Sequence, residues 1–131
     1  MCIRDSTPAV REDEAVALAA GAFLGGKIPV VLMENSGLAN SFNILMSLNL
    51  IYTSPCIMII SWRGFEGKDA SEHLVMGHTM PQLLDLVRIP HRTLSEQTII
   101  EDFQWTAKIF MEQCIPVALL IKNGIVKTLQ P

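Results

Sequence analysis

The sequence predicts an α/β fold in which a mostly parallel sheet is sandwiched between two layers of helices. Three observations lead there. Helical and strand signals alternate along the whole chain, apolar residues at helical spacing giving way to short continuous runs. The strand runs, Ile28 to Met33 and Pro55 to Ile60 among them, are unbroken, as expected of strands buried on both faces. Parallel strands need right-handed crossovers, and these put helices on both sides of the sheet, giving a flavodoxin-like three-layer arrangement.

The elements follow in order. From Asp13, the positions Val16, Ala19, Ala20 and Phe23 make one helical face, and Gly25-Gly26 can end that helix in left-handed conformations. Pro29 opens a strand that runs to Met33. Asn35 or Ser36 can cap a second helix carrying Phe42, Leu45, Met46 and Leu48, which Thr53-Ser54-Pro55 breaks. Cys56 to Ser61 forms the next strand, and the polar, Gly-containing stretch Arg63 to Lys68 reads as a loop. Helical patterns cover Ala70 to Met76 and Thr79 to Val87, followed by a short strand at His91 to Leu94. A longer helix begins at Ser95 and reaches about Gln113, with Ile99, Ile100, Phe103, Ala107 and Phe110 expected on its buried side. Pro116 starts the last strand.

Composition excludes several functions. The chain has 131 residues, enough for one domain with a substantial core, and its 50% hydrophobic content argues against disorder. A net charge of -3 without a basic cluster gives no electrostatic footprint for nucleic acid. No apolar run approaches the roughly 20 residues of a membrane helix, and no secretory signal pattern is present. Cys2, Cys56 and Cys114 lack the close spacing of a zinc site and read as structural thiols, which suits a reducing cytoplasm.

Two stretches carry the chemistry. Arg11-Glu12-Asp13-Glu14 precedes an Ala-rich helix that reaches Gly21, and Glu34-Asn35-Ser36-Gly37-Leu38-Ala39-Asn40 follows directly on a strand. Both then lie at strand carboxyl ends, where open α/β sheets bind ligands. Acidic residues in a first turn are also what the helix dipole favours, and Asp13 and Glu14 are read in that way.

This order of motifs resembles the pyrimidine-binding domain of thiamine-diphosphate enzymes, most closely the alpha subunit of sulfopyruvate decarboxylase and the N-terminal half of phosphonopyruvate decarboxylase. The likeness continues through Ile59-Ile60-Ser61-Trp62-Arg63-Gly64, through Glu72-His73 to Met76-Gly77, and ends near Pro116 to Lys122. It covers residues 7–131. Residues 1–6 match nothing in the family and are read as foreign or disordered. The family would have a strand and a helix before Thr7, so the domain is expected to be N-terminally truncated, leaving a sheet neighbour with unpaired backbone groups.

The resemblance implies a catalytic role for Glu12: its carboxyl would hydrogen-bond a ring nitrogen of the cofactor's aminopyrimidine, preparing the cofactor to act as the electron sink of a decarboxylation. Enclosure beside an apolar ring would raise its pKa and suit it to donate. Asn35, Ser36, Gly37, Leu38 and Asn40 would approach the cofactor as a loop, with Gly37 permitting a tight turn. Arg63 and His73 would hold an anionic 2-oxoacid. Three positions depart from the family: Ala39 stands for a second Gly, Glu34 for a neutral amide, and His78 for an Arg. His91, the tryptophans and the methionines are assigned structural roles.

The chain has no Gly-Asp-Gly motif for the diphosphate and Mg2+. The resemblance therefore implies a hetero-oligomer whose beta subunit binds both. The implied reaction is 3-sulfopyruvate to sulfoacetaldehyde and carbon dioxide, with phosphonopyruvate as the alternative substrate. A non-catalytic flavodoxin-like partner subunit is the reading from a different class.

Overall fold

The computed structural model describes residues 6–126, so Cys2 and the stretch read as foreign up to residue 5 lie outside them. The elements are α1 (Glu12–Leu24), β1 (Val30–Glu34), α2 (Asn35–Ile44), β2 (Ile57–Ser61), α3 (Ser71–Leu86), β3 (His91–Thr93), α4 (Ile99–Gln113) and β4 (Val117–Ile121). All strand pairs are parallel and the sheet order is β1-β2-β4-β3. This is the expected flavodoxin-like α/β architecture.

Strand register assigns the two faces. Val31 and Met33 lie beside Met58 and Ile60, which lie beside Ala118 and Leu120. These six side chains form one core with Val16 and Ala19 of α1, Leu38 of α2, and Met80 and Leu84 of α3. On the opposite face Val117 packs with Ile109 and Phe110 of α4, with Phe23 and Ile57 against them. Cys56 is fully enclosed in the first core, and burial pushes its thiol up to about 12, in keeping with a structural role.

The second face is covered unevenly. α4 lies over the β4 side, whereas Val30 and Leu32 of β1 are 51% and 74% exposed. β1 pairs only with β2, and a cavity of about 810 Å³ is lined by residues 6–12 and by Lys27 to Met33.

Several local expectations need correction. The two helical patterns after Lys68 form one continuous helix, α3, because Pro81 sits within it without ending it. Of the two glycines after α1, only Gly26 is left-handed (φ 77°), while Gly25 has φ -79°. Neither Asn35 nor Ser36 caps α2: the N-cap is Glu34 and Asn35 is already the first helical residue. A π-helical turn at Leu45–Leu50 extends α2, and this widening rotates the buried line to Leu38, Ser41, Leu45 and Asn49, leaving Met46 exposed. The Asn49 side-chain amide then donates to Ser54 O at 2.7 Å, securing the turn that leads into β2.

α4 is also rotated from its expected face. Its buried residues are Asp102, Thr106, Ile109 and Phe110, and Ile99, Ile100, Phe103 and Ala107 are exposed. Polar contacts explain this. Asp102 accepts from Thr98 Oγ1 at 2.7 Å and from Arg92 Nη1 at 3.3 Å, and the Arg92 guanidinium lies 4.4 Å from the centre of the Trp105 ring. Phe110 meets Phe23 edge-on at 5.9 Å. An anchored carboxylate on the inner side fixes the helix orientation more strongly than three flexible apolar side chains do.

The face assignment has a stability consequence. Ile60→Ala removes a fully buried β2 side chain and should cost about 2–5 kcal/mol. Leu32→Ala on the exposed face should change stability by about 0.5 kcal/mol or less. Urea denaturation of both variants checks this, and equal losses would overturn the assignment.

Candidate active site

The ends of β1 and β2 lie side by side, Glu34 opposite Ser61. β1 passes into α2 with no intervening loop, so the Asn-Ser-Gly segment expected as a loop is the first turn of a helix. The requirement for glycine at position 37 consequently has a different cause from a tight turn. α1 packs against α2, and a Cβ added at Gly37 would collide with Cγ, Cδ and Oε1 of Glu12. The missing side chain makes room for the carboxylate to lie on the backbone of the α2 first turn.

Glu12 differs from its acidic neighbours. Asp13 takes a bidentate contact from Arg11, with both N–O distances 3.0 Å, and the guanidinium holds its carboxyl below the usual range. Glu14 accepts from Val10 N at 3.0 Å. No hydrogen bond or ion pair among the described residues engages the Glu12 carboxyl, which is half-buried. The three acids therefore separate into two local helix-start contacts and one uncommitted group facing Gly37.

Other predicted site residues have defined positions. Asn35 is buried and bridges to the Arg63 backbone: its Nδ2 donates to Arg63 O at 2.9 Å, and Arg63 N donates to its Oδ1 at 3.2 Å. Ser36 Oγ donates to Glu34 Oε1 at 2.8 Å. Leu38 is sunk in the core beneath the site, and Asn40 is exposed on the outer side of α2. His73 Nδ1 is 3.6 Å from Glu34 Oε1, whereas His78 points to solvent.

Arg63 is more constrained than a free anion clamp. Its Nε and Nη2 donate to Asp69 at 2.7 and 2.8 Å, and its Nη1 lies 3.7 Å from Glu34 Oε2. Asp69 also accepts the backbone N–H of Gly64 and of Ala70. The Arg63 hydrogen bonds, with these two amides, hold the Asp69 carboxyl well below the usual carboxylate range. Sequence reasoning overlooked Asp69 and the participation of Glu34. An Asp six residues after the Arg of the Trp-Arg-Gly motif, in a loop short enough to fold back, was the available signal.

Two glycines hold this loop against α3. Gly64 is left-handed (φ 74°), and a Cβ there would strike His73 O. A Cβ at Gly77 would come within 2.5–2.6 Å of Arg63 O and of Gly64 C and O. Trp62 Nε1 completes the contact by donating to Gly77 O at 2.7 Å. Lys68 pairs with Glu66 at 2.9 Å, away from Arg63.

These residues fit an aminopyrimidine ring. An uncommitted carboxyl beside a helix turn stripped of its Cβ offers a hydrogen-bonding group to a ring nitrogen and a flat backbone surface to the ring. Among the described residues, no group of three or more His, Cys, Asp or Glu could hold a metal ion.

No protein-family model matches the chain. Curated relatives do. The sulfopyruvate decarboxylase subunit alpha of Methanothermobacter thermautotrophicus is 44% identical over 86 residues, covering 66% of this chain and 52% of the relative. The protein of the same name from Methanococcus maripaludis is 36% identical, covering 87% of this chain and 69% of the relative. The phosphonopyruvate decarboxylase of Streptomyces viridochromogenes is 35% identical over 92% of this chain but only 33% of its own length. The chain thus spans from about half to about two thirds of the alpha subunits.

The Asp69 contacts predict an acid-dependent effect. A carboxylate whose folded pKa is depressed contributes stability above its unfolded pKa of about 3.9 and loses it as pH falls through the folded value. Asp69→Asn should therefore lower the urea midpoint at pH 7, and the gap from the native chain should narrow only at strongly acid pH. A gap that closes already near pH 6 would show that the pairing is not what Asp69 contributes.

Proposed function

Since the chain belongs to the family of sulfopyruvate decarboxylase alpha subunits and phosphonopyruvate decarboxylases, we propose that it is the alpha component of a thiamine-diphosphate-dependent 2-oxoacid decarboxylase. The observation that carries this reading is the uncommitted Glu12 carboxyl seated on Gly37. Thiamine diphosphate, when bound, supplies the electron sink for loss of carbon dioxide. Glu12 would be the residue that holds a ring nitrogen of its pyrimidine through a hydrogen bond from or to its carboxyl. The first turn of α2, at Ser36 and Gly37, would form the wall for the ring, with Leu38 supporting it from the core and Asn40, on the outer side of the helix, taking no part. A beta subunit carries the diphosphate site and its Mg2+.

Arg63, already paired with Asp69, is the cation that would meet a dianionic 2-oxoacid at the rim of this site, with His73 beside it as a polar contact. Glu34 and Asp69 orient them and limit their attraction for other anions. The substrate read first is 3-sulfopyruvate, because the sulfopyruvate names accompany the identities of 35–44%. Phosphonopyruvate is the second reading, favoured by relatives at 35% and 31% identity that each match close to nine tenths of this chain. No described helix is long and apolar enough to cross a membrane. The proposed setting is the cytoplasm, where Cys56 and Cys114 stay reduced.

The test is decarboxylation of sulfopyruvate and phosphonopyruvate by the chain assembled with its beta partner, thiamine diphosphate and Mg2+. Glu12→Gln should reduce kcat about 10²-fold or more. Full activity in that variant would remove Glu12 from the mechanism. An inactive but correctly assembled native complex would favour a non-catalytic flavodoxin-like partner.

A further inference from the structure

The structure assigns Asn35 the part of a positioning residue rather than a cofactor ligand, an inference that rests on the decarboxylase reading of the site. The β1–β2 ladder stops at the Glu34–Ser61 pair because β1 turns into α2. β2 continues one residue further on its other side, where Trp62 N donates to Ile121 O at 2.8 Å. On the α2 side the Asn35 carboxamide takes over the ladder, accepting from Arg63 N and donating to Arg63 O. It thereby occupies the place a further peptide group of β1 would have taken.

Only a primary amide of this length offers both a donor and an acceptor at that point; Asp has no donor when ionised, and Ser is too short to span both atoms. The orientation of the amide is fixed by its partners, since a peptide N–H cannot accept and a carbonyl cannot donate. At 1% exposure, Asn35 has no face left for a ligand.

The bridge links two parts of the site. Two residues after Asn35, Gly37 carries the Glu12 carboxylate, and one residue after Arg63, Gly64 is pressed against α3 beside His73. Asn35 therefore sets the distance between the cofactor-facing helix turn and the loop that carries Arg63. Losing it frees the two strand ends to slide, and a displacement of about 1 Å at reacting groups costs on the order of 10²-fold in rate.

The test compares the native parent complex with Asn35→Ala and Asn35→Asp. In the cofactor-free protein, hydrogen exchange at the Arg63 amide should accelerate in Asn35→Ala, because its acceptor is gone. In the loaded enzyme kcat should fall by about 10²-fold while the substrate KM and the dissociation constant for thiamine diphosphate stay near native. Activity of Asn35→Asp relative to native should recover as pH is lowered, since a protonated carboxyl regains an O–H to donate to Arg63 O; Asn35→Ala should show no such recovery.

Weakened thiamine diphosphate binding with native kcat at saturation would make Asn35 a ligand and overturn the inference. Unchanged Arg63 exchange would overturn the bridge, and a lowered melting temperature with native kcat would reduce it to plain structural support. The exchange measurement needs no activity. A native complex inactive on both acids, with Arg63 exchange still accelerated in Asn35→Ala, would overturn the decarboxylase reading and the positioning role built on it, leaving the bridge itself intact.

Discussion

The arrangement at the carboxyl ends of the strands depends on one backbone-to-backbone contact, between Gly64 after β2 and Gly77 in α3. Neither position can carry a side chain. Because the helix approaches so closely, the Trp62 indole reaches Gly77 O, the Gly64 N–H points at Asp69, and His73 is brought beside Glu34. The left-handed backbone of Gly64 turns the chain sharply enough for Asp69 to return and meet Arg63. A small steric allowance thus organises a set of polar contacts far larger than itself.

Charge at this end of the sheet is largely compensated internally. Glu34 lies between Ser36, Arg63 and His73, and Asp69 takes the guanidinium together with two peptide amides. Such pairs at partly exposed positions contribute orientation more than stability. Glu12 is the exception: it lies against Gly37, and no hydrogen bond or ion pair among the described residues engages its carboxyl.

Much of this was legible in the sequence, and the limits of legibility have physical causes. Unbroken apolar runs announced parallel strands, whereas the choice of Glu12 over Glu14 came from the family resemblance, through the match of Gly21 and the Ala-rich helix. The α4 face was misjudged because periodicity weighs Ile100 and Phe103 by hydrophobicity and cannot see that Asp102 will be anchored by Thr98 and Arg92. Gly37 was expected to permit a tight turn, but it stands in the first turn of α2. Its glycine answers to a side chain 25 positions upstream, a long-range fact that no local turn rule contains. Asp69 was missed for a different reason: it is only six residues from Arg63, but the local pattern does not show that the left-handed turn at Gly64 brings it back to the guanidinium.

The uncovered flank of the sheet bears on how the chain behaves in solution. Ile28, Val30 and Leu32 present an apolar stripe beside a strand edge that has no neighbour on its outer side among the described residues. An edge of this kind is adhesive, offering both unpaired peptide groups and greasy side chains to any extended chain it meets. Lys27 before the strand and Glu34 at its end are the charges that restrain this, and Pro29 withholds one peptide donor.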